Sequence, residues 1–298
     1  MRKIILTLVL ITFISGCTIP DVLKQVMPGF EEQEVKELPP DIITIQNLNV
    51  IPTPPINAED QFSVSFIVKN QDDINDVDNV EYNLFDTGLC NLTADSTNRN
   101  QGSLNTLVPL QEEFIEWDLK APTNDQIAQI STRCPIRFKI DYDFISRSQI
   151  DVVVIDEERL KELQRSGEGA TFTPTLTVGR GPVKIYLSFG ASLPLKEGNT
   201  LPLYLMVEDK GNGLFGQIEE GTLTIEATGF SVVEGNKNFK NLVNNATIPL
   251  IRKKTPQMRF VLKPTGDIAV EKTFYITASL NYRYSLSGET EVAIKPTA

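Results

Sequence analysis

The stretch Ile136-Arg137-Phe138-Lys139-Ile140-Asp141-Tyr142-Asp143-Phe144 decides the fold class of this chain. Apolar and charged residues alternate along it, so one face of an extended strand is apolar and the other is charged. Residues 62–68 alternate in the same way, as Phe-Ser-Val-Ser-Phe-Ile-Val. Several short strands of this kind, separated by turn residues, predict an all-β fold built as β-sandwiches.

The two halves of the chain carry the same pattern, displaced by about 140 positions. Three segments match in the same order: 62–70 with 201–209, 119–120 with 262–263, and 140–154 with 280–294. One alternating strand resembles another by chance, but three matches in order at a near-constant offset are harder to explain in that way. The sequence therefore predicts two tandem immunoglobulin-like β-sandwich domains, at 41–156 and 170–298.

The join at 157–169 has the features of a short helix, with a plain loop as the alternative. Asp156 is a residue type that caps helix N-termini, and Gly167 is suited to end a helix. Glu157 and Lys161 are spaced to face each other across one turn. These features favour a helix of about ten residues.

The N-terminus has the layout of an export signal at 1–17. Arg2 and Lys3 precede an apolar run that is too short to span a bilayer, and small residues follow it. The ending Ile-Ser-Gly-Cys resembles a lipobox, in which Cys17 becomes the lipid-modified first residue. An ordinary signal peptide with an incidental cysteine is the alternative. Residues 18–40, rich in proline and glutamate, are expected to form a tether, so we expect an exported protein anchored to the outer face of the membrane.

Composition excludes several classes of function. The 298 residues carry 28 basic and 39 acidic side chains, for a net charge of −11, and contain no histidine. An acidic chain is a poor nucleic-acid ligand, because phosphate binding needs a basic face. Without histidine, neither a Ser-His-Asp triad nor a His-ligated metal site can be built.

Two cysteines remain once Cys17 is assigned to the lipid. Behind an export signal, Cys90 and Cys134 are expected to form a disulfide, with two buried thiols as the alternative. The sequence also has two N-glycosylation sequons, at Asn91 and Asn245. Because Asn91 follows Cys90 directly, a glycan there requires the asparagine to point outward while the cysteine points inward.

Two motifs have both a chemical and a structural interpretation. The loop of Asp72, Asp73, Asn75, Asp76 and Asp78 offers the oxygen ligands that calcium prefers, but it lacks EF-hand spacing, and such residues also favour turns. The solvated turn is the favoured interpretation, and no other cofactor is expected. Residues 211–216 fit G-x-G-x-x-G, yet a strand follows instead of the helix that a dinucleotide site needs, which favours a loop.

Trp117, the single tryptophan, could serve as a sugar-binding platform or as a core residue. It shares one strand face with Ile115 and Leu119, and this pattern favours the core.

The pattern formed by Phe62, Val64, Phe66, Val68 and Asn70, followed by a second alternating strand at 80–84, resembles CARDB-type and other immunoglobulin-like modules. The whole chain is similar to archaeal cell-surface lipoproteins with two such domains. The resemblance covers about a third of each domain and implies adhesion, spacer or scaffold roles more weakly than it implies the fold.

These observations favour a membrane-anchored, non-enzymatic binding or structural protein, whose partner is an envelope protein or glycan. Two alternatives stay open. A pair of carboxylates could act on surface glycans, in an enzyme or an accessory subunit. A bare edge strand could instead make the chain a subunit of a surface filament or sheath.

Overall fold

The computed structural model describes residues 34–40, 42–94, 99–166 and 172–297 and confirms an all-β, sandwich-type fold. The predicted export signal (1–17) and most of the predicted tether (18–40) lie outside these residues. The strands are β1 (Glu34–Glu37), β2 (Ile43–Ile51), β3 (Ile56–Asn57), β4 (Gln61–Asn70), β5 (Val77–Asp86), β6 (Asn91–Leu92), β7 (Gln101–Leu107), β8 (Glu112–Lys120), β9 (Thr132–Ile155), β10 (Thr175–Val178), β11 (Val183–Phe189), β12 (Leu195–Lys196), β13 (Leu201–Asp209), β14 (Gln217–Ile218), β15 (Leu223–Glu226), β16 (Phe230–Glu234), β17 (Phe239–Lys240), β18 (Val243–Asn244), β19 (Ile248–Pro249), β20 (Met258–Pro264) and β21 (Glu271–Lys295).

Two very long strands organise the molecule. β9 has 24 residues and β21 has 25, and they pair antiparallel without a register break from Glu271↔Ile155 to Ile294↔Thr132. Even-numbered residues of β9 from Cys134 to Val154 are buried, whereas most odd-numbered ones face outward. The alternation of buried and outward-facing residues therefore continues beyond residue 144, and it gives β9 one largely apolar buried face, in which Ser146 and Ser148 are the polar members.

Two four-stranded sheets cover that face. The sheet β2-β4-β8-β6 packs on the N-terminal half of β9, where the rings of Phe66 and Phe138 stack with centroids 4.2 Å apart. The sheet β11-β13-β20-β16 packs over the C-terminal half, with β11 against β9. Each of these sheets forms one layer, and the part of β9 and β21 beneath it belongs to the second layer. We call the two resulting units the N-terminal sandwich and the C-terminal sandwich.

The strand pairings repeat between the two sandwiches. Phe62↔Leu119 joins β4 to β8, and its counterpart Leu201↔Leu262 joins β13 to β20. These are the residues that the sequence comparison matched. The short strands β3 and β12 each pair in parallel with the end of a long strand, β3 with β21 and β12 with β9.

The long strands cross between the sandwiches. β9 begins in the N-terminal sandwich and ends in the C-terminal one, while β21 runs the opposite way. Each sandwich is therefore completed by the second part of the other half's long strand. One continuous sheet crosses the predicted boundary at residue 156, and the division into domains at 41–156 and 170–298 stays a prediction.

The last part of the predicted tether belongs to the folded body. Residues Glu34–Glu37 form β1, which pairs in parallel with β10 at the edge of the sheet that contains β9 and β21. The Tyr186 hydroxyl donates to Glu37 Oε2 at 3.2 Å, and the Lys184 ammonium donates to the carbonyl oxygens of Leu38 and Pro39. The chain is thus held against the C-terminal sandwich before it enters β2.

The helix predicted after β9 is present as α1 (Glu157–Ser166). Asp156 caps it, because its Oδ1 accepts from the backbone N–H of Arg159 at 2.6 Å. Lys161 and Glu157 form the expected ion pair at 2.8 Å. Within the described ranges, no helix is long and apolar enough to cross a bilayer.

Candidate functional site: a cleft at the waist

The sheet has a gap on one edge of β9, halfway along the molecule. β5 pairs with β9 as far as Asp78↔Asp143, and β10 begins its pairing at Val178↔Ser148. In the strand pairings described, Ile145 has a register partner only on β21, namely Asn281. This gap between the two sandwiches opens a cleft, which we call the waist cleft.

The waist cleft has a volume of about 480 Å³, within the roughly 300–1,000 Å³ range of small-ligand sites. Its rim carries three exposed apolar side chains, Leu38, Ile74 and Ile145, which are 42%, 75% and 48% exposed. The other lining residues are mostly polar: Asn75, Asp76, Asp78, Asn79, Asp143, Phe144, Arg147, Gly179, Arg180 and Asn281. The cleft therefore offers apolar contact together with both signs of charge.

Two of the five charged side chains that line the waist cleft, Asp143 and Arg180, are ion-paired with neighbours. Asp143 accepts from Arg283 at 3.1 Å and from the Asn79 side chain at 2.7 Å. In contrast, neither Arg147 nor Asp76 forms an ion pair with any residue in the described part of the chain. Asp78 also lines the cleft and, among the described residues, accepts only from the neutral Thr106 hydroxyl. An incoming ligand would therefore meet the charges of Arg147, Asp76 and Asp78.

The aspartate-rich loop that suggested calcium forms one wall of this cleft. Asp72 is fully buried and accepts from the backbone N–H groups of Ile74 and Asn75 and from the Asn75 side chain. Arg180 approaches Asp72 at 3.7 Å and Asp73 at 3.0 Å. Among the described residues, no three Cys, Asp or Glu side chains are grouped as metal ligands. Calcium binding stays a prediction, and in this structure Asp72 serves to order the loop.

Arg180 also joins the two sandwiches, because it follows β10 whereas Asp72 follows β4. Burial by itself would raise the pKa of Asp72. The hydrogen bonds from Asn75 and Ile74 and the charge of Arg180 outweigh burial and hold the pKa below its ordinary value. The folded state therefore favours the ionised carboxylate.

This gives a prediction for acid stability. A lowered folded-state pKa contributes stability above the ordinary aspartate value, roughly 3.9, and that contribution disappears as the pH falls through the folded pKa. We expect urea unfolding of the wild type to show a steep loss of stability below about pH 4. Asp72→Asn should be less stable than the wild type at pH 7 and should lose less stability on acidification. Equal slopes for wild type and Asp72→Asn would contradict this role.

The other predicted site residues lie outside the waist cleft. Cys90 and Cys134 form a disulfide and are both fully buried, which confirms the predicted pair. Asn91 and Asn245 are exposed, and Asn91 points outward beside the buried Cys90, as a glycan would require. Glycosylation itself stays a prediction. Cys17 lies outside the described residues.

The G-x-G-x-x-G stretch is a packing loop between β13 and β14. A Cβ on Gly213 would lie 2.1 Å from the Ser285 carbonyl oxygen, and one on Gly211 would lie 2.2 Å from the Tyr284 hydroxyl oxygen. That hydroxyl donates to Asp209 and accepts from the backbone N–H of Gly213. The first two glycines therefore serve close contact with β21.

Gly216 supplies an internal control, since a Cβ there would meet nothing within 4 Å. We expect Gly213→Ala to lower the free energy of unfolding by about 2 kcal/mol through overpacking. Gly216→Ala should change it by less than about 0.5 kcal/mol. Urea denaturation of both variants tests this, and equal effects would show that close packing on Tyr284 and Ser285 of β21 is not the reason for the glycine at 213.

Trp117 is a core residue, as its strand face predicted. It is 1% exposed, its ring lies 5.3 Å from those of Phe66 and Phe138, and its Nε1 donates to the Arg99 carbonyl. A buried ring of this kind is not a sugar platform. Tyr142, Phe144, Tyr282 and Tyr284 are buried as well.

The fold is that of an all-β, sandwich-type protein. Comparisons with known proteins identify no family for the chain. No family model and no curated protein matches the chain. The C-terminal globular domain of an oligosaccharyltransferase from Pyrococcus abyssi is 12% identical, with a TM-score of 0.26, over 86% of this chain and 50% of that one. Red sea bream transglutaminase is 14% identical, with a TM-score of 0.20, over 85% and 31%.

This chain therefore spans about half of the first protein and a third of the second. Both are β-rich, and at these TM-scores neither supports an argument about function. The CARDB resemblance has no matching family model and stays a prediction.

Proposed function

We propose that this chain is a membrane-anchored cell-surface protein with a binding or structural role and no enzymatic activity. Its immunoglobulin-like sandwiches, CARDB-like in pattern, would be held at the outer face of the membrane by a lipid on Cys17. Its partner would be a protein or glycan of the cell envelope. The arrangement suits a spacer or scaffold that presents a surface away from the bilayer.

The observation that carries this proposal is the uninterrupted ladder between β9 and β21. Its 24 paired positions run through both sandwiches. At roughly 3.3 Å per residue, the ladder is up to ~75 Å long. Because both long strands cross from one sandwich to the other, relative motion of the sandwiches would require breaking backbone hydrogen bonds. Such stiffness favours a structural role.

The waist cleft supports the binding part of the proposal. Arg147 and Asp76 lie beside exposed apolar side chains in a cavity of about 480 Å³. Such a combination suits an amphiphilic segment or a small polar ligand with one apolar side. By contrast, charged side chains on the outer faces of the long strands form ion pairs, such as Arg137–Asp86 and Arg133–Glu291.

Expression of the full chain in a close relative of its source tests the proposal. We expect the wild type in the membrane fraction, with intact mass showing cleavage before Cys17 and an added lipid. Cys17→Ser should lose the lipid and leave the membrane, with the Cys90–Cys134 bridge unchanged. A soluble wild-type product cut elsewhere would overturn the anchor, and specific turnover of a polysaccharide by the purified body would overturn the non-enzymatic role.

A further inference from the structure

The chain reaches the folded body at an unexpected place. It builds the N-terminal sandwich first in sequence, yet β1 lies at the edge of the C-terminal sandwich. Val35 pairs with Leu176, and Leu176 pairs with Ile150 of β9. After β1, the chain passes residues 38–42 and only then enters the N-terminal sandwich at β2.

Several contacts hold the chain at this position. The backbone N–H groups of Glu34 and Leu38 donate to the carbonyls of Pro174 and Val178 at 3.2 and 3.1 Å. The fully buried Lys184 donates to the Gly179 carbonyl at 2.9 Å and to the Leu38 carbonyl. A buried ammonium keeps such partners tightly, because releasing them would leave it desolvated. The attachment point is therefore part of the fold.

We propose that the C-terminal sandwich lies next to the membrane and that the N-terminal sandwich points away from it. This orientation rests on the proposed N-terminal anchor, and it reverses the order that the sequence suggests. The bilayer-facing end is formed by the C-terminus of β9, by α1 and by the β12 turn. The outward surface is the tip of the N-terminal sandwich.

Distances along the ladder support the orientation. At roughly 3.3 Å per residue, the level of Ile150 lies ~17 Å from Ile155 at the near end and ~60 Å from Thr132 at the far end. The segment 18–33 between the proposed anchor and β1 can span at most ~55 Å, which is slightly less than the ~60 Å from the level of Ile150 to the far end. The far tip is thus the part of the body held farthest from the anchor.

The outward tip carries features that suit an exposed surface. The Cys90–Cys134 disulfide joins strand ends there, beside the exposed sequon asparagine Asn91. Two apolar side chains of the tip, Leu89 and Ile130, are 48% and 69% exposed. The tip is therefore the surface that an envelope partner would meet first.

Energy transfer from single labels to membrane-surface acceptors tests the orientation. Because the chain contains no histidine, a hexahistidine tag in place of Cys17 attaches the mature chain to nickel-chelating vesicles only through its N-terminus. With Cys90 and Cys134 bridged, the introduced thiol of Asn199→Cys or Ile130→Cys is the only free one. We expect clearly higher transfer to acceptor lipids from residue 199 than from residue 130. Equal transfer or the reverse order would overturn the proposal.

A matched pair of variants in β1 tests whether the pairing of β1 with β10 causes the orientation. The backbone N–H groups of Glu34 and Leu38 donate to the segment that contains β10. Alternate residues of a strand direct their N–H groups to the same side, so the N–H of Lys36 also faces β10. Lys36→Pro removes this donor and should bring the transfer from the two labels close together, while Lys36→Ala keeps the difference. If Lys36→Pro kept the full wild-type difference in transfer between residues 199 and 130, β1 would not be what sets the orientation. Since the tag replaces the lipid, this result does not depend on whether Cys17 is modified, which the fractionation experiment decides.

Discussion

Removal of the disulfide should produce the largest loss of stability among the substitutions considered. We expect the double variant Cys90→Ala/Cys134→Ala to lose about 4 kcal/mol, because the bridge closes a loop whose ends are 44 residues apart. For a chain of this size, such a loss corresponds to a melting temperature lower by roughly 8–16 °C. Thermal and urea unfolding of the folded body would measure it.

Reduction of the wild type supplies the control for this prediction. A reducing agent should reproduce the shift in the wild type and leave the double variant unchanged. Because Cys134 is the third residue of β9 and pairs with Val292 near the end of β21, hydrogen exchange should rise first at that end of the ladder. A loss below about 1 kcal/mol would show that this end is held mainly by its packing.

Replacement of Lys184 by methionine should produce the second large effect. Lys184 is fully buried, and its ammonium donates to the carbonyl oxygens of Leu38, Pro39 and Gly179. Methionine keeps the side-chain volume but leaves these acceptors without a donor, which we expect to cost roughly 3 kcal/mol. The loss should be concentrated where β1 and residues 38–40 dock.

Limited trypsin digestion can detect that release directly, because Lys36 lies in the middle of β1. Cleavage after Lys36 should be slow in the wild type and at least tenfold faster in Lys184→Met. Lys263→Met is the control, since Lys263 lies in the same four-stranded sheet but is exposed, and it should change neither stability nor cleavage. Unchanged cleavage in Lys184→Met would show that other contacts suffice to hold the segment.

These two predictions concern opposite ends of one body and should be nearly additive. The disulfide closes the tip of the N-terminal sandwich, while Lys184 fastens the incoming chain to the C-terminal sandwich. Sites that are well separated and share no partner usually add within about 0.5 kcal/mol. A combined variant would therefore test whether the ladder of β9 and β21 transmits strain between the ends.

The sequence alone determined the features that depend on neighbouring residues. Alternation of apolar and charged side chains predicted the strands and the buried faces of residues such as Trp117 and Phe138, because side-chain direction has a period of two. Asp156 and Glu157 predicted α1 because capping is local. The two cysteines that remain once Cys17 is assigned to a lipid, behind a predicted export signal, predicted the disulfide, and strand context favoured a loop for the glycine motif.

Only the tertiary structure decided how distant segments meet. Lys184 follows Val183 in an alternating strand and carries no local signal of burial; its ammonium donates to the carbonyl oxygens of Leu38 and Pro39, which are distant in sequence. The exchange of β9 and β21 between the sandwiches, the waist cleft beside Ile145 and the bridge from Arg180 to Asp72 are equally invisible locally. The physical reason is that strand partners are selected by backbone hydrogen bonds and shared apolar faces, which many strands of similar pattern could satisfy. Register and partner are settled only when the whole core packs.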